Sequence, residues 1–450
     1  MRTLALAACA LGLALGPTRA AKDAGAAEPP AVAQPAVKAA NPLAGLPSKA
    51  EGAHIEKIRA LGNNSWAILG QAAADPNWGQ EGVARGRAFS PRMPYAPDLG
   101  GAFFCGTGVH GAKRSDGRYM DDLWFYDANA HRWICLYPGA DPKTLKLHLD
   151  KNGLEVNEAG DHIPVSYLSH GYYNTTYNPD LKLYHVIWTQ CPWWGKILPQ
   201  RWEWLDQNDP GVARRTYGAV GPVIASARHP LFWDVAKGKW DRKFVAGDGP
   251  GGRFEGVTEY IPSLKKTFRM QGNQVWFYDY AAGAWTAGAK GLIGSYEMIG
   301  CHDSKRERIY VGHEKAGFSY FDIKTGTWHK VEGEGQPAKL GTSSDTYLNF
   351  DSANGVLIWK KRQGPVFVYD PDADKWTDLG NRWTEQPSGH PYPDIESPKF
   401  HVSYMIESGF YNSILNAHCF YLAGDSGNAN ATMLAYRYRR ATDQQPEKGN

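Results

Sequence analysis

"QVWFYDYAAGAWTAG", residues 274 to 288, places Asp279 six residues before Trp285, with Phe277 and Tyr278 directly ahead of the Asp. This spacing occurs five times, in Asp127–Trp133, Asp234–Trp240, Asp279–Trp285, Asp322–Trp328 and Asp370–Trp376. Each copy has a strand-like stretch before the Asp and turn-type residues after it. An Asp at such a corner accepts hydrogen bonds from backbone amides about two residues further on. Each copy therefore predicts a β-hairpin whose returning strand begins at a large packing residue, the Trp.

A second hairpin precedes most copies. Its turns read "YNPDLK" (177–182), "YIPSLK" (260–265), "CHDSKR" (301–306) and "NFDSANG" (349–355). Two hairpins make a four-stranded unit, and the last four Asp residues are separated by 45, 43 and 48 residues. A period of this length with four strands per unit is typical of a β-propeller. We therefore predict an all-β fold of this class.

Six units can be counted. The first ends at Trp133, the second at Trp240, and the next three at the remaining Trp residues of the repeat. The last unit has three strands and then stops, with Arg437 where the Asp is expected. "NNSWAILG", residues 63 to 70, is an unassigned strand before the first unit, and we predict that it closes the last blade. The propeller then spans residues 56–440, and a seventh blade within a long insertion is the alternative.

The two ends of the chain differ in composition from the repeats. Residues 1–20 carry one Arg, an apolar run and a small-residue end, which predicts a secretory signal peptide. An acylation box ending in Cys9 is disfavoured because the apolar run before it is short. Residues 21–55 are rich in Ala and Pro and predict a flexible spacer, and 441–450 a disordered tail. We expect a secreted or periplasmic monomer.

The bulk composition excludes some partners and favours short strands. The 450 residues include 50 glycines and 29 prolines, which favour many short strands joined by turns. The net charge of +3 does not favour nucleic-acid binding. No later run approaches the roughly 18–20 apolar residues of a membrane span. The cysteines that follow the leader are scattered, so they predict neither a zinc site nor a disulfide framework.

The "FYD…W" hairpins resemble kelch-type repeats, as found in the propeller domain of galactose-oxidase-like proteins. The Gly-Gly pair of kelch repeats is replaced here by "GTG", "TQC", "QGN", "VGH", "KKR" and "AGD". The resemblance implies a copper radical oxidase as one hypothesis. Tyr184, His185 and Cys191 supply the residue types without matching the motif position by position. A weaker similarity, to propeller-type polysaccharide lyases, implies His and Tyr for proton transfer and a basic residue for the uronate carboxylate.

Loop lengths indicate which face of the propeller carries a site. If strands are lettered a to d from the axis outward, the a–b and c–d turns lie on one face, the turn face. The b–c and d–a connections lie on the other, the loop face. From the first turn to the Asp, blade 1 takes 30 residues and blade 2 takes 55, against 17 to 19 in blades 3 to 5. Long loops on a rigid scaffold commonly bind ligands. We therefore expect the site on the loop face.

The candidate residues come from these connections. The proposed catalytic residues are His110, His170, Tyr172 and Tyr173, since imidazoles and phenols can transfer protons. The proposed substrate-binding residues are Gln190, Trp193, Trp194, Arg201, Trp202, Gln271, His313, Lys361 and Arg362, with Lys360 beside the last two. Loop anchoring and aromatic packing are the alternative roles.

These residues lead to three functional hypotheses. The first is a carbohydrate-active protein that cleaves an acidic polysaccharide by β-elimination. The alternatives are a non-catalytic propeller that binds a glycan or a protein at the cell envelope, and the copper oxidase. The expected partner is a carbohydrate or another small polar ligand. No metal ligand is assigned, and the cofactor is left open.

Overall fold

A computed structural model describes residues 41–87, 89–106, 114, 116–164, 170–187, 228–250, 256–295, 297–362, 364–380, 405–424 and 427–441. These residues form six four-stranded antiparallel sheets, which are the six blades of a β-propeller. This confirms the predicted fold class and the count of six. Within the described ranges there is a single α-helix, α1 (Ala53–Ala60).

In blades 1 to 5 the strands run outward from the axis in chain order, and in blade 6 the outermost strand is β1 (Ser65–Gly70). Blade 1 comprises β2 (Tyr95–Ala96), β3 (Gly101–Phe104), β4 (Leu123–Asp127) and β5 (Arg132–Tyr137). Blade 2 comprises β8 (Thr175–Asn178), β9 (Leu183–Val186), β10 (Leu231–Asp234) and β11 (Lys239–Arg242). Blade 3 comprises β12 (Val257–Ile261), β13 (Lys266–Gln271), β14 (Gln274–Asp279) and β15 (Ala284–Ala287). Blades 4 and 5 comprise β16 (Ile299–Asp303), β17 (Arg308–His313), β18 (Gly317–Asp322) and β19 (Thr327–Lys330); and β20 (Thr346–Asp351), β21 (Val356–Lys361), β22 (Val366–Asp370) and β23 (Lys375–Asp378). Blade 6 comprises β24 (Met405–Asn412), β25 (Ala417–Gly424), β26 (Gly427–Arg437) and β1 (Ser65–Gly70). The long connection between blades 1 and 2 carries a small extra sheet of β6 (Leu147–Leu149) and β7 (Glu155–Asn157).

The repeated Asp and Trp build the outer hairpin of each blade as predicted. Asp279 Oδ1 accepts hydrogen bonds from the backbone amides of Ala281 and Ala282, both at 3.0 Å. The residue before the Asp pairs across the strands with the Trp, as Tyr278 does with Trp285 at 5.0 Å between ring centroids. The equivalent pairs lie 4.9 to 5.5 Å apart in the other four copies. The fixed spacing therefore keeps one aromatic pair and one capped turn in register.

The last blade is completed by the N-terminal strand. β1 pairs antiparallel with β26, and the register places Trp66 opposite Tyr436 with ring centroids 4.8 Å apart. This is a sixth copy of the aromatic pair, shared between distant parts of the chain. Arg437, at the Asp position, donates to the carbonyl of Leu61 at 2.8 Å instead of capping a tight turn. The predicted closure of blade 6 is confirmed.

Residues ahead of α1 also contact the propeller. Leu43 is buried in the core between blades 1 and 2, and Ser48 Oγ donates to Asp127 Oδ1 at 2.8 Å. These contacts lie within the segment predicted as a spacer. The predicted signal peptide lies outside the described residues. In the part of the chain that the structure describes, no helix has the length and apolar character to cross a membrane.

Six apolar cores lie between neighbouring blades, one at each junction. Phe103 of blade 1 stacks on Tyr184 of blade 2 at 4.7 Å, for example, and Tyr347 of blade 5 meets Phe420 of blade 6 edge-on at 4.9 Å. The innermost strands follow one another around the axis. Burial of both faces of every sheet is what favours a closed ring over an open array.

The axis is filled at the level of the middle of the innermost strands. Tyr173 is fully buried, and its phenol donates to the carbonyl of Thr346 and accepts from the amide of Leu348, both at 2.8 Å. Arg92, ahead of β2, donates to both carboxylate oxygens of Glu259 at 2.5 and 2.7 Å. These three side chains, the axial plug, connect blades 1, 2, 3 and 5 at the axis.

Candidate functional site

Three strained residues meet on the loop face near the axis. Phe89, Tyr172 and Glu297 have φ angles of 60°, 43° and 58°, a region that non-glycine residues seldom adopt. Each lies shortly before an innermost strand or the segment leading to it. Six of the other seven described non-glycine residues with positive φ lie directly before the returning strand of a hairpin, where a tight turn accounts for them, and the seventh, Asn64, lies in the turn between α1 and β1. Phe89 and Tyr172 also lie in turns, and across Tyr172 the Asn174 amide donates to the Gly171 carbonyl at 3.0 Å. What distinguishes Phe89, Tyr172 and Glu297 is that none of them lies in a hairpin between two strands of a blade, and backbone strain outside such hairpins is common at functional sites.

Tyr172 and Glu297 form the centre of this site. The Tyr172 phenol donates to Glu297 Oε1 at 3.3 Å, and Ser344 Oγ donates to Glu297 Oε2 at 3.1 Å. The amide of Ser343 donates to the Glu297 carbonyl at 2.8 Å and fixes the backbone. Three d–a connections therefore converge on one carboxylate. A phenol and a carboxylate in contact can exchange a proton.

The segment His170–Gly171–Tyr172 is held against blade 1. The Gly171 amide donates to Ser90 Oγ at 2.8 Å, and the Tyr172 amide to the Phe89 carbonyl at 2.7 Å. A side chain at Gly171 would place its Cβ 2.5 Å from Ser90 Oγ, so this close approach requires glycine. The His170 ring packs on Phe89 at 4.1 Å and edge-on to Tyr172 at 5.2 Å.

His313 adds an imidazole whose tautomer is set by the backbone. The amide of Lys315 donates to Nδ1 at 3.1 Å, so the neutral ring carries its proton on Nε2. Burial lowers the pKa of His313, although the charges of Glu314 and Glu297 partly oppose this. His313 is therefore a neutral hydrogen-bond donor in the neighbourhood of Glu297.

The predicted basic residues separate into different environments. Lys361 lies at the rim, with 39% of its side chain exposed and its Nζ 3.4 Å from Asp345 Oδ2. The Arg362 amide donates to the Asp345 carbonyl at 2.9 Å. Lys360 is not on the rim, because it is buried and forms an ion pair with Glu407. Alternation along β21 directs neighbouring side chains to opposite faces of the blade.

The remaining predicted residues are placed as follows. Gln271 is buried at the end of β13, and its Oε1 has no hydrogen-bond partner. Tyr173 belongs to the axial plug, where burial raises the pKa of its phenol and both phenol hydrogen bonds go to backbone. This environment favours a structural role, and a catalytic role for Tyr173 stays a prediction. His110, Gln190, Trp193, Trp194, Arg201 and Trp202 lie outside the described residues.

The two described residues considered for a copper site, Tyr184 and His185, do not converge. Tyr184 and His185 are neighbours on β9 and lie on opposite sides of blade 2. The Tyr184 hydroxyl contacts Cys105 Sγ at 2.8 Å, whereas His185 Nδ1 lies 3.4 Å from Thr267 Oγ1 of blade 3. Cys191 is outside the described residues. Among the residues that the structure does describe, no group of three or more His, Cys, Asp or Glu side chains is arranged to hold a metal ion.

Glu297 and Ser344 are not predicted from the sequence. They lie in d–a connections of ordinary length, where no insertion marks a site. The available signal is positional, since Tyr172, Glu297 and Asp345 all lie one to three residues before an innermost strand. In blades 2, 4 and 5 this position brings Tyr172, Glu297 and Asp345 to the loop face near the axis.

Comparison of the chain with known proteins does not identify a family for it. No protein-family model matches it, and no curated protein matches it either.

Proposed function

We propose that the loop face binds an acidic polysaccharide and cleaves it by β-elimination. The observation that carries this proposal is the contact between the Tyr172 phenol and the Glu297 carboxylate, which are held by strained backbone at the axial mouth. Catalytic hydrogen bonds are commonly long before substrate binds, so a 3.3 Å contact is compatible with this role.

The proposed roles account for every proton. Glu297 removes the proton on the carbon next to the uronate carboxylate, and the freed electron pair forms the new carbon–carbon double bond. The bond from the adjacent carbon to the leaving oxygen breaks, and Tyr172 protonates that oxygen. Glu297 then returns its proton to the Tyr172 phenolate through their direct contact. The carboxylate of the sugar accepts a hydrogen bond from His313 Nε2 and faces Lys361 at the rim.

A second candidate function is non-catalytic glycan binding at the same face. It is favoured by the burial of Tyr172, of which 2% is exposed, because a catalytic phenol must reach its substrate. The two functions differ in whether product forms, since both require the same polar mouth.

The test is incubation of the purified protein with uronate-containing polysaccharides, followed by the absorbance of the unsaturated product. Tyr172→Phe and Glu297→Gln are each expected to lower the rate by about 10²–10⁴-fold with little change in folding. Tyr320→Phe, on strand β18 away from the axis, is the matched control and keeps full activity. Binding of a polysaccharide without product supports the second candidate. Activity that survives both site substitutions refutes the proposed roles.

A further inference from the structure

A cavity of about 300 Å³ lies on the turn face, at the other end of the axis from the candidate site. All six blades line it, and its inner end is the ion pair between Arg92 and Glu259. The volume is at the lower limit of the roughly 300–1,000 Å³ typical of ligand pockets. We call this cavity the turn-face funnel.

One aromatic residue from each blade surrounds the funnel at an equivalent position. These residues are Tyr95, Tyr177, Tyr260, His302, Phe350 and Tyr411. The tyrosines mostly join one blade to the next. Tyr95 donates to Asn412 Oδ1 at 2.9 Å, and Tyr177 to Asp98 Oδ2 at 3.0 Å. The phenol groups of these tyrosines therefore form hydrogen bonds between neighbouring blades of the propeller.

Blades 4 and 5 lack the tyrosine, and blade 5 has Phe350 in its place. Of these two, blade 4 is the one that places a polar ring there. Its residue is His302, whose Nε2 is buried and has no hydrogen-bond partner. A buried polar atom without a partner is destabilising unless something binds it. Burial lowers the pKa of His302, against the opposing charge of Glu259, so the ring is neutral at neutral pH. A neutral imidazole nitrogen can pair with a hydroxyl group.

The wall of the funnel has two chemically different halves. Two residues beyond each aromatic position, blades 1 to 3 carry proline and blades 4 to 6 carry serine. These residues are Pro97, Pro179, Pro262, Ser304, Ser352 and Ser413. At this level of the wall, one side of the funnel therefore presents apolar proline rings, and the side that contains His302 presents hydroxyl groups. Sugars and related polyols combine an apolar face with hydroxyl edges in the same way.

The charges at the inner end restrict the ligand further. The guanidinium of Arg92 and the carboxylate of Glu259 satisfy each other with two hydrogen bonds, and their side chains are only 10% and 6% exposed. An ionic ligand would have to compete with this buried pair, which is costly to break. A neutral ligand can accept and donate hydrogen bonds there without separating the charges.

We propose that the turn-face funnel is a second ligand site, which takes a neutral sugar or polyol of about one sugar unit. The site does not depend on the function proposed for the loop face. His302 and the three serines bind the hydroxyl edge of the ligand, and the three prolines contact its apolar face.

The test is titration of the full-length protein with neutral pentoses, hexoses and linear polyols, by calorimetry and ligand-observed NMR. Glucuronate and glucosamine serve as charged analogues. His302→Phe reproduces the residue of blade 5, and Ser304→Pro reproduces blades 1 to 3, so both fit the fold. Each is expected to weaken binding about tenfold or more. His329→Phe, on the outer strand of the same blade, is the matched control and keeps wild-type affinity.

Two results would support the site together: saturable binding of a neutral sugar or polyol, and its loss in both funnel variants with unchanged thermal unfolding. Three results would each overturn it. The first is no saturable binding of any neutral compound at millimolar concentration. The second is affinity that is unchanged in both variants or equally reduced in His329→Phe. The third is tighter binding of a charged analogue.

Discussion

Removal of one hydroxyl group tests whether the axial plug stabilises the ring. Tyr173→Phe keeps the ring of the side chain but leaves the carbonyl of Thr346 and the amide of Leu348 without their partner. Both groups lie on the inner edge of β20, where no neighbouring strand can pair with them. A buried backbone group left unpaired costs about 1–3 kcal/mol. Two such groups would lower the free energy of unfolding by about 2–6 kcal/mol. Because a water molecule that enters the site would pair with both groups and offset part of this cost, we expect a loss of about 2–4 kcal/mol.

Urea unfolding followed by circular dichroism and tryptophan fluorescence measures this loss, provided that the m-value is unchanged. Tyr320→Phe, which is half-buried and forms no comparable pair of bonds, is the control and should stay within about 0.5 kcal/mol of wild type. Hydrogen exchange gives a local readout, since the amide of Leu348 should exchange faster in Tyr173→Phe. A loss below about 0.5 kcal/mol with unchanged exchange at Leu348 would refute the assignment of a plug.

Three further predictions concern the buried ion pair, a buried imidazole and the closing strand. Arg92→Met leaves the Glu259 carboxylate buried and unpaired, which is expected to lower the free energy of unfolding by about 3–5 kcal/mol. The double variant with Glu259→Leu should recover most of this loss in urea unfolding. If the losses of the two single variants simply add in the double variant, the two side chains are not coupled. Burial lowers the pKa of His185 to about 3, so only the unfolded chain binds this proton at mildly acid pH. The free energy of unfolding should therefore fall by up to about 1.4 kcal/mol per pH unit as the pH drops below about 6.5. In thermal unfolding, His185→Gln should reduce this pH dependence. An identical pH dependence in wild type and variant would contradict the assignment to His185. Trp66→Ala removes the partner of Tyr436 and should cost about 2–4 kcal/mol in the same assay, whereas unchanged stability would show that β1 is dispensable for closure.

The fold was accessible from the sequence because its signal is local and repeated. The Asp at each c–d corner and the Trp six residues later are set by the geometry of one hairpin, so every copy reports the same spacing. Closure by β1 was accessible for a different reason, since blade 6 lacked one strand and "NNSWAILG" had no other partner. The pairing of β1 with β26 was predicted from the number of strands in each blade, because no residue pattern within the two strands indicates it.

The chemistry was less accessible, because side-chain direction and burial are tertiary properties. The insertions point to blades 1 and 2, and most of the candidate residues in them lie outside the described residues. Tyr172 was found because it enters an innermost strand, but its partner Glu297 is contributed by a short connection two blades away. His302 stands in a turn that looks like any other hairpin. Only alignment of the six turns shows that it replaces a tyrosine.

The closing of blade 6 by β1 has a kinetic consequence. The hydrogen bond between Tyr436 and Asn64 joins residues 372 positions apart. Among the described strands, β1 is therefore synthesised first but cannot pair until β26, the last, has been synthesised. Contacts of such long sequence separation slow folding. Until the C-terminal strands emerge, the nascent chain holds five blades and a loose leading segment, with an open sheet edge exposed to other chains. We therefore expect that loss of a few residues from β26 would prevent β1 from pairing and the propeller from closing, even with five complete blades already synthesised.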